Sequence, residues 1–431
     1  MNKPELFLMD LPSEIVVGIL SRLPTRTIVS CRCVCKQWHE LLSTPEFAKS
    51  HLSVSPPGLL VLHMDPIMSE YRCNVVEYED ISQLQYGFPC DQVTKFDPRA
   101  FISSPAYYQI QTQGSVHGLL CLRYQRSKSD DVIYICNPIT REYISLPRLP
   151  HVVEYANFTC CGFGVSSITG QYKVVHILQK SVLEAWQHDR RENYRCEFYE
   201  YLIYTLGTGS WRSIPENSPF EHAHMCFGVF LNGNLHGLVC NSSKSAMLVS
   251  CFDLEDESFE PFSPPSPLQI TSYPGDYILR VLDDCLCICE STFLYDEMGF
   301  VFWMMKEYGV KESWSRQFIF LATEICPALP FYGISLIKGY KNGDILYSWE
   351  DETVYYYSNK TKTSHEVALF AQYSDSSDSF KTMLHSSSFL SLKSFDGENV
   401  ISFADFSESS LAFSNTLGWS HMIVDLKILI E

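Results

Sequence analysis

The sequence predicts a chain that is α+β by domain: a small N-terminal helical block, then an all-β, propeller-like body of six to eight blades. Three observations lead there. Between Leu11 and Leu52, apolar residues recur at helical spacing and are punctuated by prolines. From Gly58 the texture changes to short apolar runs of β type separated by polar turns. These runs also recur, in units that start near Gly58, Gly118, Gln171, Gly237, Asp284 and Gly343, at blade-like intervals of 47 to 66 residues.

In the helical block, Pro12 suits a first helical position, and Glu14 in the first turn complements the helix dipole. Ile15, Val16, Ile19, Leu20 and Leu23 then form a stripe that Pro24 closes. Thr25 is placed to cap a second helix carrying Ile28 and Val29. The spacing restarts from Val34 with Cys35, Trp38, Leu41 and Leu42. Thr44 and Pro45 cap a last turn ending near Leu52, which makes about four helical pieces. Helices this short are marginal alone, and about 40 residues seldom build a self-sufficient core. Trp38 and its aliphatic neighbours therefore need cover, either from another chain or from the rest of this one.

The strings "LPSEIVVGILSRLP" and "CRCVCKQWHELLS", in that order, resemble the F-box motif in its plant form. The resemblance implies docking on a Skp-type adaptor that bridges to a cullin and a RING subunit in a modular ubiquitin ligase. Carried over position by position, the adaptor-binding residues are Leu11, Pro12, Ile15, Leu20, Leu23 and Pro24 in the first half, and Val34, Cys35, Trp38 and Leu41 in the second. Some of these must be internal core, and spacing does not separate the two roles. The implied domains are a helical docking domain at 1–52, a linker at 53–57 marked by "SVSPP", and a β-rich substrate-binding domain at 58–431.

Within that domain, "HGLLC" at His117 recurs as "HGLVC" at His236, each followed by an apolar strand, a polar turn and a third strand. The two histidines read as equivalent positions sharing a structural hydrogen bond. Closure of the ring is expected from strands at the two ends of the domain. The chain contains no Gly-Gly pair of kelch type and no Trp-Asp pair. Instead, "GSVHGLLCL", "ICNPITREYISLP", "GFGVSSITGQYKVV", "VFLNGNLHGLVC", "SCFDLEDESFEPF", "WMMKEYGVKESW" and "SFLSL" resemble, in series, the plant F-box-associated interaction domain from about Gly114 to Leu392.

Bulk properties narrow the function classes. A chain of 431 residues with 46% hydrophobic and 14% aromatic content can bury a large core. Its net charge of −18 disfavours sequence-independent binding of nucleic acid, which depends on neutralising phosphates. No apolar run approaches the roughly 20 residues of a membrane span, and no signal-peptide core is present. The expected setting is intracellular, in cytoplasm or nucleus, with the 17 cysteines reduced and mostly buried.

Stretches that invite chemistry have plainer readings. Cys31, Cys33 and Cys35 lie on helical sequence, where i and i+2 diverge. Cys285, Cys287 and Cys289 share a strand face, better read as small buried hydrophobes than as a metal site. "DLEDE" at Asp253 reads as a solvated turn, "PFSPPSP" at Pro261 as a linker, and "SDSSDS" at Ser374 as a loop. No nucleotide-binding, zinc-protease or serine-hydrolase string occurs, so no cofactor or catalysis is expected. The function these features imply is a non-catalytic substrate receptor of a ubiquitin ligase, its target protein unspecified. The alternatives are an adaptor-binding protein outside any ligase, or a propeller that binds small molecules or glycans.

Overall fold

The computed structural model describes residues 11–65, 70–76, 93–96, 98, 109–127, 130–149, 158–184, 193–215, 224–241, 246–265, 277–294, 297–321, 334–340, 342–349, 353–367, 379–395 and 398–402. Four helices open it: α1 (Ser13–Leu20), α2 (Thr25–Arg32), α3 (Lys36–Leu41) and α4 (Pro45–Val54). Pro12 and Pro24 have extended dihedrals, and each stands one residue before its helix. Pro12 still starts α1 through its carbonyl, which accepts the N–H groups of Ile15 and Val16 at 3.0 and 3.1 Å. Placing Pro12 inside α1 and Thr25 as the cap of α2 was thus one residue off, because each proline contributes its carbonyl while its own ψ stays extended. The last helix begins as expected. Thr44 Oγ1 accepts the N–H of Phe47 at 3.2 Å with Pro45 in the first turn, and the helix runs on to Val54.

The β-rich body forms six antiparallel sheets, the blades of a propeller, numbered here in chain order. Blades 2 to 6 begin with the innermost strands Gln109–Val116, Phe158–Val165, His224–Leu231, Tyr277–Leu282 and Ile334–Gly339. Blade 1 is composite. Its strands Gly58–Asp65, Glu70–Val76 and Val93–Phe96 are joined on the inner side by Ser379–His385 from the far end of the chain. The expected closure by the two ends of the domain is therefore present, and six is the blade number.

Six apolar clusters alternate with the blades, one at each junction, including that between blades 6 and 1 where Leu59, Val61 and Val76 meet Ile337, Leu346 and Val354. No blade covers both of its own faces, so each depends on its neighbours. The units read from sequence are phased one strand late. Gly58, Gly118, Gln171, Gly237, Asp284 and Gly343 mark second strands, which are the more apolar, whereas each later blade begins one strand earlier.

The proposed equivalence of His117 and His236 is overturned. In blade 2 the turn between first and second strands is His117–Gly118, with φ of 50° and 81°, because Val116 pairs with Leu119. In blade 4 the corresponding turn is Asn232–Gly233, with φ of 51° and 80°, because Leu231 pairs with Asn234. The two repeats are thus offset by four residues, and the structural counterpart of His236 is Cys121. A type I′ turn selects two positive-φ positions, and the His-Gly string marks that turn only in the first copy. Each histidine nonetheless bonds a tyrosine hydroxyl of the next blade: His117 Nδ1 to Tyr172 and His236 Nε2 to Tyr308, both at 2.8 Å.

Candidate functional site

The helical block is a two-faced object. Val16, Leu20, Leu23, Ile28, Cys31, Trp38, Leu42, Phe47 and Ala48 form its core, and Ile139 and Phe389 from the propeller complete it. Phe389 enters between α4 and α2. Its ring centroid lies 5.8 Å from that of Phe47 and 5.1 Å, edge-on, from that of His51, and the Arg32 guanidinium lies 5.9 Å above it. The cover that Trp38 requires is therefore supplied by this chain, and Trp38 is only 8% exposed.

Phe389 belongs to a strap that leaves the closing strand at His385 and crosses blade 2. Asn137, fully buried in the turn between the third and fourth strands of that blade, donates to the carbonyls of Ser388 and Leu390 at 3.0 and 2.7 Å. Its own Oδ1 accepts the N–H of Ile139 at 2.9 Å, and so one side chain both forms the turn and grips the strap. Glu142 accepts from the Leu392 N–H at 2.7 Å and from the Ser391 hydroxyl. Glu398 accepts from the Tyr204 hydroxyl and the Gly207 N–H, each at 2.7 Å, and Ile401–Ser402 pairs on the outer edge of blade 2. Only glycine fits at Gly118, where φ is +81° and a Cβ would meet the Ser388 Cβ at 2.2 Å. The helices are thus seated rigidly over the seam of blades 1 and 2.

The block also leaves large apolar side chains in water. Ile15 is 49% exposed, and Val29 and Val34 are each 40% exposed. Of the ten sequence-derived adaptor positions, Pro12, Ile15, Pro24, Val34 and Cys35 are exposed, Leu11 and Leu41 are half-buried at the core's edge, and Leu20, Leu23 and Trp38 lie inside it. Val29 was missed as a surface residue. No spacing signal separated it from Ile28, since adjacent helical residues can both face a core, as Phe47 and Ala48 do here.

The polar constellations of the body serve its packing. Asp131 accepts both Nε and Nη2 of Arg123, with His176 Nε2 3.5 Å away. Burial pushes this carboxyl up, but the nearby His176 ring and the hydrogen-bonded Arg123 guanidinium outweigh it and hold the pKa low. The "DLEDE" turn is more than solvated. Asp253 Oδ1 accepts two N–H groups of the turn, while Glu255 bonds Ser166 and Glu257 pairs with Lys173 and Arg212, which ties blade 4 to blade 3. Cys287 and Cys289 lie in an apolar cluster with Phe300 and Phe302, and burial pushes the Cys287 thiol up to about 12. Among the described residues, no three His, Cys, Asp or Glu side chains stand close enough to hold a metal. No described helix is long and apolar enough to cross a membrane. Ser374 to Asp378, and Ser266 and Pro267 of "PFSPPSP", lie outside the described residues, whereas Pro261 and Phe262 end the last strand of blade 4 rather than a linker.

Comparison with known proteins follows the same division. Residues 8–52 match the F-box-like family, and residues 81–392 match the family described as F-box associated beta propeller domain. Three proteins of Arabidopsis thaliana are similar along most of the chain. F-box protein CPR1 is 26% identical over 332 residues, 72% of each chain. F-box protein At1g47340 is 27% identical over 380 residues, 84% of this chain and 76% of that one. F-box protein At3g07870 is 30% identical over 323 residues, again 72% of each. Among solved structures, a lectin of Aleuria aurantia reaches a TM-score of 0.36 at 10% identity, covering 72% of this chain and 94% of that one, which is too distant to bear on ligands.

Proposed function

The chain belongs to the proteins that join an F-box to an F-box associated beta propeller domain, and we propose that it is the substrate-recognition subunit of a Skp–cullin–F-box type ubiquitin ligase. The observation that carries this reading is that the helical block keeps large apolar side chains in water. The block's core is already complete, yet Ile15, Val29 and Val34 still meet water, as a docking face does before its partner arrives.

In this reading residues 1–52 dock and residues 58–431 recognise the target, with 53–57 between them. Pro12, Ile15, Val29, Pro24, Val34 and Cys35 touch the Skp-type adaptor, with Leu11 and Leu41 at the rim. Leu20, Leu23 and Trp38 hold that surface from beneath. Cullin and RING subunits follow through the adaptor, in cytoplasm or nucleus. The chain itself performs no chemistry; it raises the effective concentration of a target lysine near a charged conjugating enzyme.

The test is co-purification of the full chain with a Skp-type adaptor. Ile15→Asp combined with Val34→Asp abolishes adaptor capture and leaves the melting temperature unchanged; capture at the wild-type level overturns the docking assignment. Cullin in the same eluate supports a ligase, whereas adaptor without cullin supports an interaction role outside one.

A further inference from the structure

Across the ring from the helices, at the junction of blades 4 and 5, a cavity of about 440 Å³ opens between Asp253, Glu260, Phe262, Met305, Tyr308 and Lys311. It lies on the helix-bearing face of the propeller. The block is seated on the turn between the third and fourth strands of blade 2, and the corresponding turns of blades 4 and 5 supply Asp253 and residues 306–313 here. In an antiparallel four-stranded blade, such turns all emerge on one side.

The walls are preorganised. The Tyr308 hydroxyl accepts from Asn234 Nδ2 at 3.0 Å and bonds His236 Nε2 at 2.8 Å. The His236 ring stands edge-on to both Phe262 and Tyr308, with centroids 5.5 and 5.6 Å away. Phe262 and Tyr308 are themselves 5.3 Å apart at 51°, forming an open aromatic corner. The turn that carries Tyr308 is closed by Ser313, whose hydroxyl accepts the Glu307 N–H and lies within bonding distance of the Val310 carbonyl. The Asp253 carboxylate is fixed by its bonds to the Glu255 and Asp256 N–H groups. The exposed Glu260 side chain has no hydrogen-bond or ion-pair partner among the described residues. At the mouth, Tyr308 and Val310 are 36% and 40% exposed, two of the few large apolar side chains that the described propeller leaves in water.

We propose that this cavity receives an arginine side chain of a partner polypeptide, its guanidinium against the Phe262–Tyr308 corner and its N–H fork directed at Glu260 and Asp253. Guanidinium is the group that satisfies both features, since it stacks on aromatic faces and pairs with carboxylates in a planar fork, whereas an ammonium offers only a point charge. The volume exceeds one side chain and falls within the usual range of ligand sites, roughly 300–1,000 Å³, so flanking backbone enters too. Tyr308 and Val310 then meet the apolar parts of neighbouring partner residues. The chain's charge of −18 favours the approach of a basic segment. His236 is a positioning residue that fixes the Tyr308 ring. This inference names the chemistry of a partner that the receptor reading leaves open, but it does not require the adaptor contact.

The test is saturation-transfer NMR on the full chain with N-acetyl-arginine N-methylamide as probe and its citrulline analogue as the neutral control. Transfer to the methylene beside the guanidinium is expected, with affinity at least about fivefold above the citrulline analogue, as loss of a charge-assisted contact implies. Glu260→Gln weakens the arginine probe, and Lys311→Ala, which removes a like charge from the rim, strengthens it. A misfolded pocket cannot produce opposite signs. Equal transfer to both probes, or arginine binding unaltered in both variants, overturns the proposal. Adaptor capture by Glu260→Gln, scored in parallel, separates this outcome from failure of the docking assignment.

Discussion

The seam of blades 1 and 2 and the junction of blades 4 and 5 lie on the same face of one ring and treat their polar groups in opposite ways. At the seam, Asn137 and Glu142 spend their hydrogen bonds on the chain's own strap, and Ile139 and Phe389 bury themselves in the helices. At the far junction, Glu260 and the Tyr308–Val310 turn face solvent around a cavity. Saturated contacts rigidify a joint and unsaturated ones leave a surface for something else. A single architecture has thus been used once as a hinge welded shut and once as an open socket.

The comparison breaks most sharply at Phe389. Phe389→Ala removes a ring enclosed by Phe47, His51 and Arg32, and should cost about 3–5 kcal/mol in denaturant unfolding, with protease sensitivity appearing first in residues 11–54.

Acid strikes both regions. Burial lowers the pKa of His385, beside Ser115 at the seam, and of His236, at the socket, each to about 4 from an ordinary 6.5. The folded state therefore binds fewer protons than the unfolded chain. The contribution of each histidine is complete above pH 6.5 and declines as pH falls from 6.5 toward 4, by about 2 kcal/mol apiece at pH 5. Thermal melts at pH 7 and pH 5 measure these contributions together with those of His117 and His176, whose pKa values burial also lowers, and His385→Asn removes the seam's share of the slope.

Asn137→Ala strips two strap bonds and two turn bonds from a buried site and should cost about 1–2 kcal/mol by the same unfolding assay. Glu260→Gln, at the open junction, should shift stability by less than about 0.5 kcal/mol, because no intramolecular partner loses a bond. A large effect there would erase the distinction between the two regions.

Much of this was legible in the residues. The prolines and aliphatic spacing of 11–52 read as about four helices because helix limits are local, and a ring of six to eight blades followed from recurring second strands, the most apolar run of each blade, with six fixed only by the sheet pairing. What spacing could not give was partnership across long separations. Trp38 read equally well as docking or core, since the residues that seal its cluster, Ile139 and Phe389, lie about 100 and 350 positions away. "SFLSL" entered only as part of a resemblance, for a strap without strand periodicity offers no pattern to interpret. His117 and His236 were misaligned because letters matched where backbone signs did not. The socket draws on Asn234 through Lys311, two blades whose junction no linear motif marks.

The seat of the helices also has an order in time. A ribosome delivers residues 11–54 long before the Phe389 that completes their core, which emerges after the strand 379–385 that closes the ring. Throughout synthesis the nascent helices therefore lack part of their interior. A chain truncated before residue 389 presents an unfinished docking module to the cell, so that a firmly mounted one requires translation past that residue.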